Sequence, residues 1–248
     1  MSPTKPEGDG GDALLHRHFR SAVFAVAAIA AALAAQTASA DETVTIGGSR
    51  AVLIKPKAVR ASVIFMPGDN GAIEAGDHGD IHGLRLNVLI RNRQAYVARG
   101  IAVLIADWNT DLKSAVDYMA AIKRPVTVVA TSRGTIRAAQ GIAQGARPDA
   151  LVLASGLLSP ESGSSSNVMS ILGSPAALPR TLVIHHREDG CRVTQPAGVD
   201  PFLKWAGGRA RVRWLSGGAN EGNPCEARSH HGYNGLDGQV VGLAAGFR

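Results

Sequence analysis

The sequence predicts an α/β protein with a mainly parallel sheet, on three observations. Apolar runs of four to six residues recur along the 248-residue chain, and they are continuous, as strands buried on both faces require. Stripes of apolar residues at helical spacing lie between them, so strand and helix alternate after an initial pair of strands. Hydrophobic residues make up 45% of the chain, yet Phe, Tyr and Trp number only 5, 3 and 3, so Ala, Val, Ile and Leu must fill the core. This balance excludes a disordered chain, a coiled coil and a cysteine-rich mini-scaffold, and the length suits one domain.

Taken in order, residues 1–12 are polar, His16-Arg17-His18-Phe19-Arg20 follows, and an apolar run over 22–35 leads into Gln36-Thr37-Ala38-Ser39-Ala40-Asp41. A basic patch, an Ala-rich apolar segment and an Ala-x-Ala step form the layout of a secretory signal peptide over 1–40, with cleavage after Ala40. The apolar run is shorter than the ~20 residues that span a bilayer, which argues against a stable membrane anchor. No Arg-Arg pair precedes it, so ordinary export is expected over the twin-arginine route. The folding domain is then 41–248, periplasmic or secreted.

Within that domain, Thr43-Val44-Thr45-Ile46 and Ala51-Val52-Leu53-Ile54 flank Gly47-Gly48-Ser49-Arg50, which reads as a hairpin. The run over 61–66 is stopped by Pro67-Gly68, and further strands are expected over 101–106, 126–130, 150–154, 181–184 and 210–215. Leu86, Leu89, Ile90 and Val97 share a helical face ahead of Gly100. Leu112, Val116, Met119 and Ile122 repeat that spacing ahead of Pro125, and Ile136, Ala139 and Ile142 form a third stripe. Val199, Phe202 and Trp205 give a fourth, and Leu236, Val240, Leu243 and Phe247 a last one. The Ser- and Gly-rich segment 159–174 has room for a loop and a short helix, not for a lid domain.

The formal charge is +6, which invites a nucleic-acid reading. Lys and Arg are scattered, however, with no basic run and no interleaved aromatics, so a solvated basic surface is expected and nucleic acid is not a partner.

The sharpest chemical signal is Val128-Val129-Ala130-Thr131-Ser132-Arg133-Gly134-Thr135. An apolar strand runs into Ser132 and a helical stripe starts just after it. A strand-to-helix turn this tight lifts the middle side chain above the sheet and needs small neighbours, here Ala130 and Gly134 in a G-x-S-x-G-like pattern. Read alone, Ser132 could equally be an ordinary helix cap. A serine nucleophile needs a base, and the base a carboxylate that fixes its tautomer. Asp189 follows the strand ending in Ile184-His185-His186, and Ser229-His230-His231-Gly232-Tyr233 precedes the last helix. Ser132, Asp189 and His231 thus each fall at the carboxyl end of a strand or in the loop beyond it, where ligand-facing residues collect.

With these parts in hand, the chain from roughly Thr43 to its end resembles the α/β-hydrolase family, of esterase or dienelactone-hydrolase type. The resemblance rests on the opening hairpin, the Pro67-Gly68 turn, the Ala-Thr-Ser-Arg-Gly elbow, the late Asp and the terminal His. It implies an eight-strand, mainly parallel sheet without a large lid, a nucleophilic Ser132, the base His231 and the orienting acid Asp189. It also implies an oxyanion hole from the backbone N–H of Arg133 and that of Asp69 or Asn70. Departures from the pattern are Ala130 in place of Gly and the absence of a His-Gly-Gly oxyanion motif. His230 competes with His231 as base, and Glu188 or Glu161 with Asp189 as acid.

His185 and His186 read as packed or hydrogen-bonded residues, and Asp77, His78, Asp80 and His82 as a solvated loop. No HExxH or CxxC pattern occurs, so neither a metal nor another cofactor is expected. Only two cysteines are present, Cys191 beside the acid and Cys225 before the base. Export would oxidise them, and an assembled triad makes their loops neighbours, so a disulfide is expected. Closing about 35 residues, it would stabilise by about 3–4 kcal/mol in the chain-entropy model.

The functional expectation is an exported serine hydrolase acting on a small-molecule ester or thioester through an acyl-enzyme. Two rivals remain at this stage: a binding protein that kept the fold without activity, and an acyltransferase using the same triad.

Overall fold

A computed structural model describes residues 41–248; the signal peptide expected over 1–40 lies outside the described residues. Eight strands form one sheet in the order β1-β2-β4-β3-β5-β6-β7-β8. They are β1 (Asp41–Ile46), β2 (Ser49–Ile54), β3 (Ala61–Met66), β4 (Ile101–Ala106), β5 (Val126–Thr131), β6 (Ala150–Ala154), β7 (Arg180–His186) and β8 (Ala210–Leu215). The β1–β2 and β2–β4 pairings are antiparallel and all others parallel. The Gly47-Gly48 turn carries positive φ at both residues, +57° and +85°, which a tight hairpin between twisted strands demands.

Side chains alternate across the sheet and so feed two cores. Leu53, Ile64, Leu104 and Val128 face one layer with α3 (Leu112–Ile122), α4 (Gly134–Ala143), α5 (Val168–Leu172) and α6 (Val199–Ala206). Val52, Phe65, Ile105 and Val129 face the other, with α1 (Val88–Arg91), α2 (Arg93–Val97) and α7 (Asp237–Gly246). Burial on both faces explains why the central strands are continuous apolar runs. Among the described residues no helix is long and apolar enough to cross a membrane.

Two details differ from the pattern read in the sequence. The stripe Leu86–Val97 is not one helix. Asn87 accepts the Leu89 N–H at 3.0 Å and starts α1 after Leu86, which is left 62% exposed, and Asn92 separates α1 from α2. A polar N-cap here overrides the apolar spacing. The strand at 210–215 is not buried on both faces either: β8 is an edge strand, with Arg211 and Arg213 exposed between half-buried neighbours. The segment 159–174 holds one short helix, α5, and no lid.

Candidate active site

The turn from β5 into α4 raises Ser132 above the sheet. Its φ of +49° is uncommon for a residue with a side chain, and the surroundings enforce it. The Ser132 N–H donates to Ala154 O at 3.0 Å, while its carbonyl accepts from Thr135 N–H at 2.9 Å and Thr135 Oγ1 at 2.6 Å. Glycines make the room. A Cβ at Gly68 would lie 2.7 Å from the Ser132 Cβ, and one at Gly134 would overlap the Met66 carbonyl oxygen. Ala130, in contrast, is fully buried in β5 opposite Met66 and its methyl group fits.

Asp189 and His231 meet in the loops that follow β7 and β8. His231 Nδ1 donates to Asp189 Oδ2 at 3.0 Å, and both residues are buried. The other Asp189 oxygen accepts the Cys191 N–H at 2.9 Å. His231, not His230, therefore pairs with Asp189: His230 Nδ1 lies 3.3 Å from the Glu188 carbonyl, and its ring stacks on His186 at 4.1 Å. Glu188 is largely exposed, and Glu161 accepts from Ser159 Oγ at 2.7 Å; neither pairs with His231. Ser132 and His231 line one cleft of about 670 Å³, although no hydrogen bond joins them in this structure. Such contacts often tighten only when substrate is bound.

The backbone N–H groups of Arg133, Asp69 and Asn70 have no acceptor among the described residues. Arg133 and Asp69 line the cleft, whereas Asn70 turns its side chain to cap the Ala72 N–H at 2.9 Å. Arg137 of α4 fixes this loop, donating to the Pro67 carbonyl and packing its guanidinium where a Cβ at Gly71 would sit. Burial pushes the Arg137 guanidinium pKa below its usual value, opposed by the charge of Asp107.

Several supporting residues were missed in the sequence. Thr194 Oγ1 donates to Asp189 Oδ2 at 3.1 Å and lies 3.0 Å from His231 Nδ1, so it holds both members of the pair. His185, expected from the sequence to be packed or hydrogen-bonded, is fully buried, and its Nε2 donates to the Thr194 carbonyl at 2.9 Å, keeping that loop in place. Ser155, at φ +43° beyond β6, donates to the His231 carbonyl at 2.8 Å. Arg91 reaches the Gly232 carbonyl at 3.0 Å and Asp237 at 2.6 Å, tying the His231 loop to α1 and α7. Ser155 had a weak signal as a polar residue at a strand's carboxyl end; Thr194 and Arg91 had none.

The disulfide Cys191–Cys225 is formed, joining the loop after Asp189 to the loop before His231 with Cα atoms 4.5 Å apart. His186, Glu188 and His230 place ligand-type atoms within 4.8 Å of one another. Both His186 nitrogens are already used, Nδ1 accepting from Glu188 N–H at 3.1 Å and Nε2 donating to Gly217 O at 2.9 Å, so this is a hydrogen-bonded packing cluster. In the 77–82 loop, Asp77 pairs with Arg50 at 2.6 Å while His82 lines the cleft.

Solved structures match this arrangement of elements. An esterase domain from a Rhodothermus marinus protein superposes with a TM-score of 0.59 at 15% identity, covering 84% of this chain and 99% of that one. The chain has the α/β-hydrolase fold. A dienelactone hydrolase from Anabaena variabilis matches with a TM-score of 0.55 at 17% identity, over 84% and 95% of the two chains. A serine hydrolase without a lid from Xanthomonas campestris gives 0.53 at 14% identity, over 84% and 95%. No family model and no curated protein matches the sequence.

Proposed function

We propose that this α/β-hydrolase-fold protein is an exported serine hydrolase that cleaves a small ester or thioester through Ser132, His231 and Asp189. The observation that carries the reading is that His231, which lines the same cleft as the raised Ser132, makes a buried 3.0 Å bond from its Nδ1 to Asp189 Oδ2. That bond leaves Nε2 of the imidazole unprotonated, the tautomer a general base needs. Ser132 Oγ attacks the acyl carbon as Nε2 takes its proton; the imidazolium formed is stabilised by Asp189 and then protonates the leaving alcohol or thiol. The oxyanion faces the free N–H groups of Arg133 and Asp69, the former at the start of α4, where the helix end favours negative charge. Water, deprotonated by the same imidazole, then releases the acid.

Export is supported by the tripartite pattern of residues 1–40 and by the disulfide, which persists in oxidising compartments. The esterase and hydrolase neighbours support the substrate class. The test is turnover of 4-nitrophenyl acetate. The protein comprising 41–248 is expected to release 4-nitrophenol catalytically, and Ser132→Ala and His231→Ala are expected to reduce the rate to about 10⁻³ or less of wild type. Equal rates for wild type and both variants would refute the proposal.

A further inference from the structure

Each of the six parallel strands enters the sheet past an exposed cation. In spatial order these are Arg99 ahead of β4, Arg60 ahead of β3, Lys123 ahead of β5, Arg147 ahead of β6, Arg180 opening β7 and Arg209 ahead of β8. The entries lie side by side, since Ala61 is level with Ile101, Ala150 with both Thr127 and Arg180, and Thr181 with Ala210. At about 4.8 Å per strand the row is about 24 Å long. Residues 55–60, 98–100, 123–125, 144–149, 173–180 and 207–209, which bring the chain into these strands, hold nine Lys and Arg against one carboxylate, Asp149. The connections that leave the strands, 67–87, 107–111, 132–133, 155–167, 187–198 and 216–236, hold eleven carboxylates against five cations. The net charge of +6 is therefore strongly polarised, with the excess at the end of the sheet opposite the Ser132 cleft.

Helix ends account for part of this row. Arg99 donates to the Ala95 carbonyl at 2.5 Å, Arg147 to the Ile142 carbonyl at 3.0 Å, and Lys123 caps α3, positions where a helix C-terminus favours a cation. Lys57 and Arg60 follow a strand, so no helix end calls for them. Arg124 pairs with Asp149 and Lys55 with Glu42. Among the described residues none of Lys57, Arg60, Arg99, Lys123, Arg147 and Arg209 has a carboxylate partner, so their charge is open to a ligand.

Cations of one sign spread over a face attract an anionic surface, and the carboxylate-rich end is repelled by it, so the molecule is oriented as well as held. We propose that this face docks on the surface of an anionic phospholipid bilayer, with the Ser132 cleft turned toward the aqueous phase. A bilayer is favoured over nucleic acid because these segments contain no aromatic residue to stack on bases, and they present short connections and helix C-termini rather than a helix flank that would enter a groove. Leu86 and Trp108, 62% and 59% exposed, belong to connections at the other end, so the contact is electrostatic and no side chain of this face inserts. The proposed export places the domain beside such a membrane. Docking is independent of the hydrolase chemistry, but it means that substrate reaches Ser132 from solution and not from the lipid.

The test is cosedimentation of the protein comprising 41–248 with vesicles of equal parts phosphatidylglycerol and phosphatidylcholine, against vesicles of phosphatidylcholine alone. Binding is expected only to the anionic vesicles at low salt, with release as salt screens the face. Each cation near an anionic leaflet strengthens binding about fivefold, so Lys57→Gln/Lys123→Gln/Arg209→Gln should weaken it about a hundredfold. Arg50→Gln/Lys113→Gln/Arg213→Gln removes the same charge elsewhere on the surface and should change it less than about threefold. Amide hydrogen exchange on the vesicles should slow in 55–60 and 207–209 and stay unchanged in 69–82. Equal binding to both kinds of vesicle, equal weakening by the two triple variants, or protection of 69–82 instead overturns the proposal. Tighter binding to a DNA duplex than to anionic vesicles, at equal phosphate concentration, overturns it in favour of nucleic acid. None of these results touches the hydrolase reading, which the ester assay above tests separately.

Discussion

Replacing His185 by Gln should change how stability depends on pH, in a direction the structure fixes. The imidazole is fully buried, its Nε2 donates to the Thr194 carbonyl at 2.9 Å, and its Nδ1 has no partner among the described residues. Burial lowers its pKa from 6.5 to about 4, opposed by the charge of Asp189 and the bond to Thr194. Between those values the unfolded chain binds a proton that the folded one refuses. Stability from this group is therefore complete above pH 6.5 and is lost as pH falls toward 4. At about 1.4 kcal/mol per unit, the loss across the window is about 3 kcal/mol. For a domain of this size that is a fall of roughly 10 °C in Tm.

Gln keeps a donor for the Thr194 carbonyl and does not titrate. Urea or thermal unfolding of both proteins at pH 7 and pH 4 isolates the contribution of the imidazole, because the other carboxylates and histidines are common to both. Wild type should lose about 3 kcal/mol relative to His185→Gln on acidification. A gap that stays constant between the two pH values would refute the buried neutral imidazole.

Three further outcomes follow from the geometry. Thr194→Val should lower kcat/KM by about ten- to a hundredfold, the worth of a hydrogen bond to a charged group, while Thr194→Ser recovers most of it; full activity in the Val variant would show that the hydroxyl does not hold the pair. Cys191→Ser/Cys225→Ser should lose about 4 kcal/mol in urea unfolding, the entropy of closing about 35 residues, and a change below about 1 kcal/mol would contradict that origin. Gly134→Ala should destabilise by several kcal/mol or prevent folding, since its Cβ overlaps the Met66 carbonyl oxygen, whereas Gly242→Ala, open to solvent in α7, should stabilise by roughly 1 kcal/mol; melting temperatures compare the two directly.

What could be read in the sequence follows from how local each signal is. The central strands announce themselves because burial on both faces favours continuous Val, Ile, Leu and Ala, as in Ile101–Ala106. Ser132 stands out because a tight strand-to-helix turn restricts its immediate neighbours. Asp189 and His231 are placed by chain order and by the loops they occupy, and the two cysteines by compartment. Thr194, Arg91 and Arg137 were invisible because their roles exist only after distant loops converge: Arg91 is 141 residues from the Gly232 carbonyl it holds. Leu86 matched a helical stripe by spacing alone, and only the Asn87 cap shows that the helix begins after it. In β8 the alternation of Arg211 and Arg213 with Val212 and Trp214 already carried the edge-strand signature, which the apolar content had obscured.

The proposed activity requires that Ser132 be a nucleophile primed by its surroundings. Labelling with a fluorophosphonate, followed by mass spectrometry of the digested protein, reads this without knowledge of the substrate. The adduct should map to Ser132 alone, be absent in Ser132→Ala, and form far more slowly in His231→Ala. A folded wild-type protein whose Ser132 stays unmodified, or is modified equally fast without His231, would contradict the proposed catalytic site.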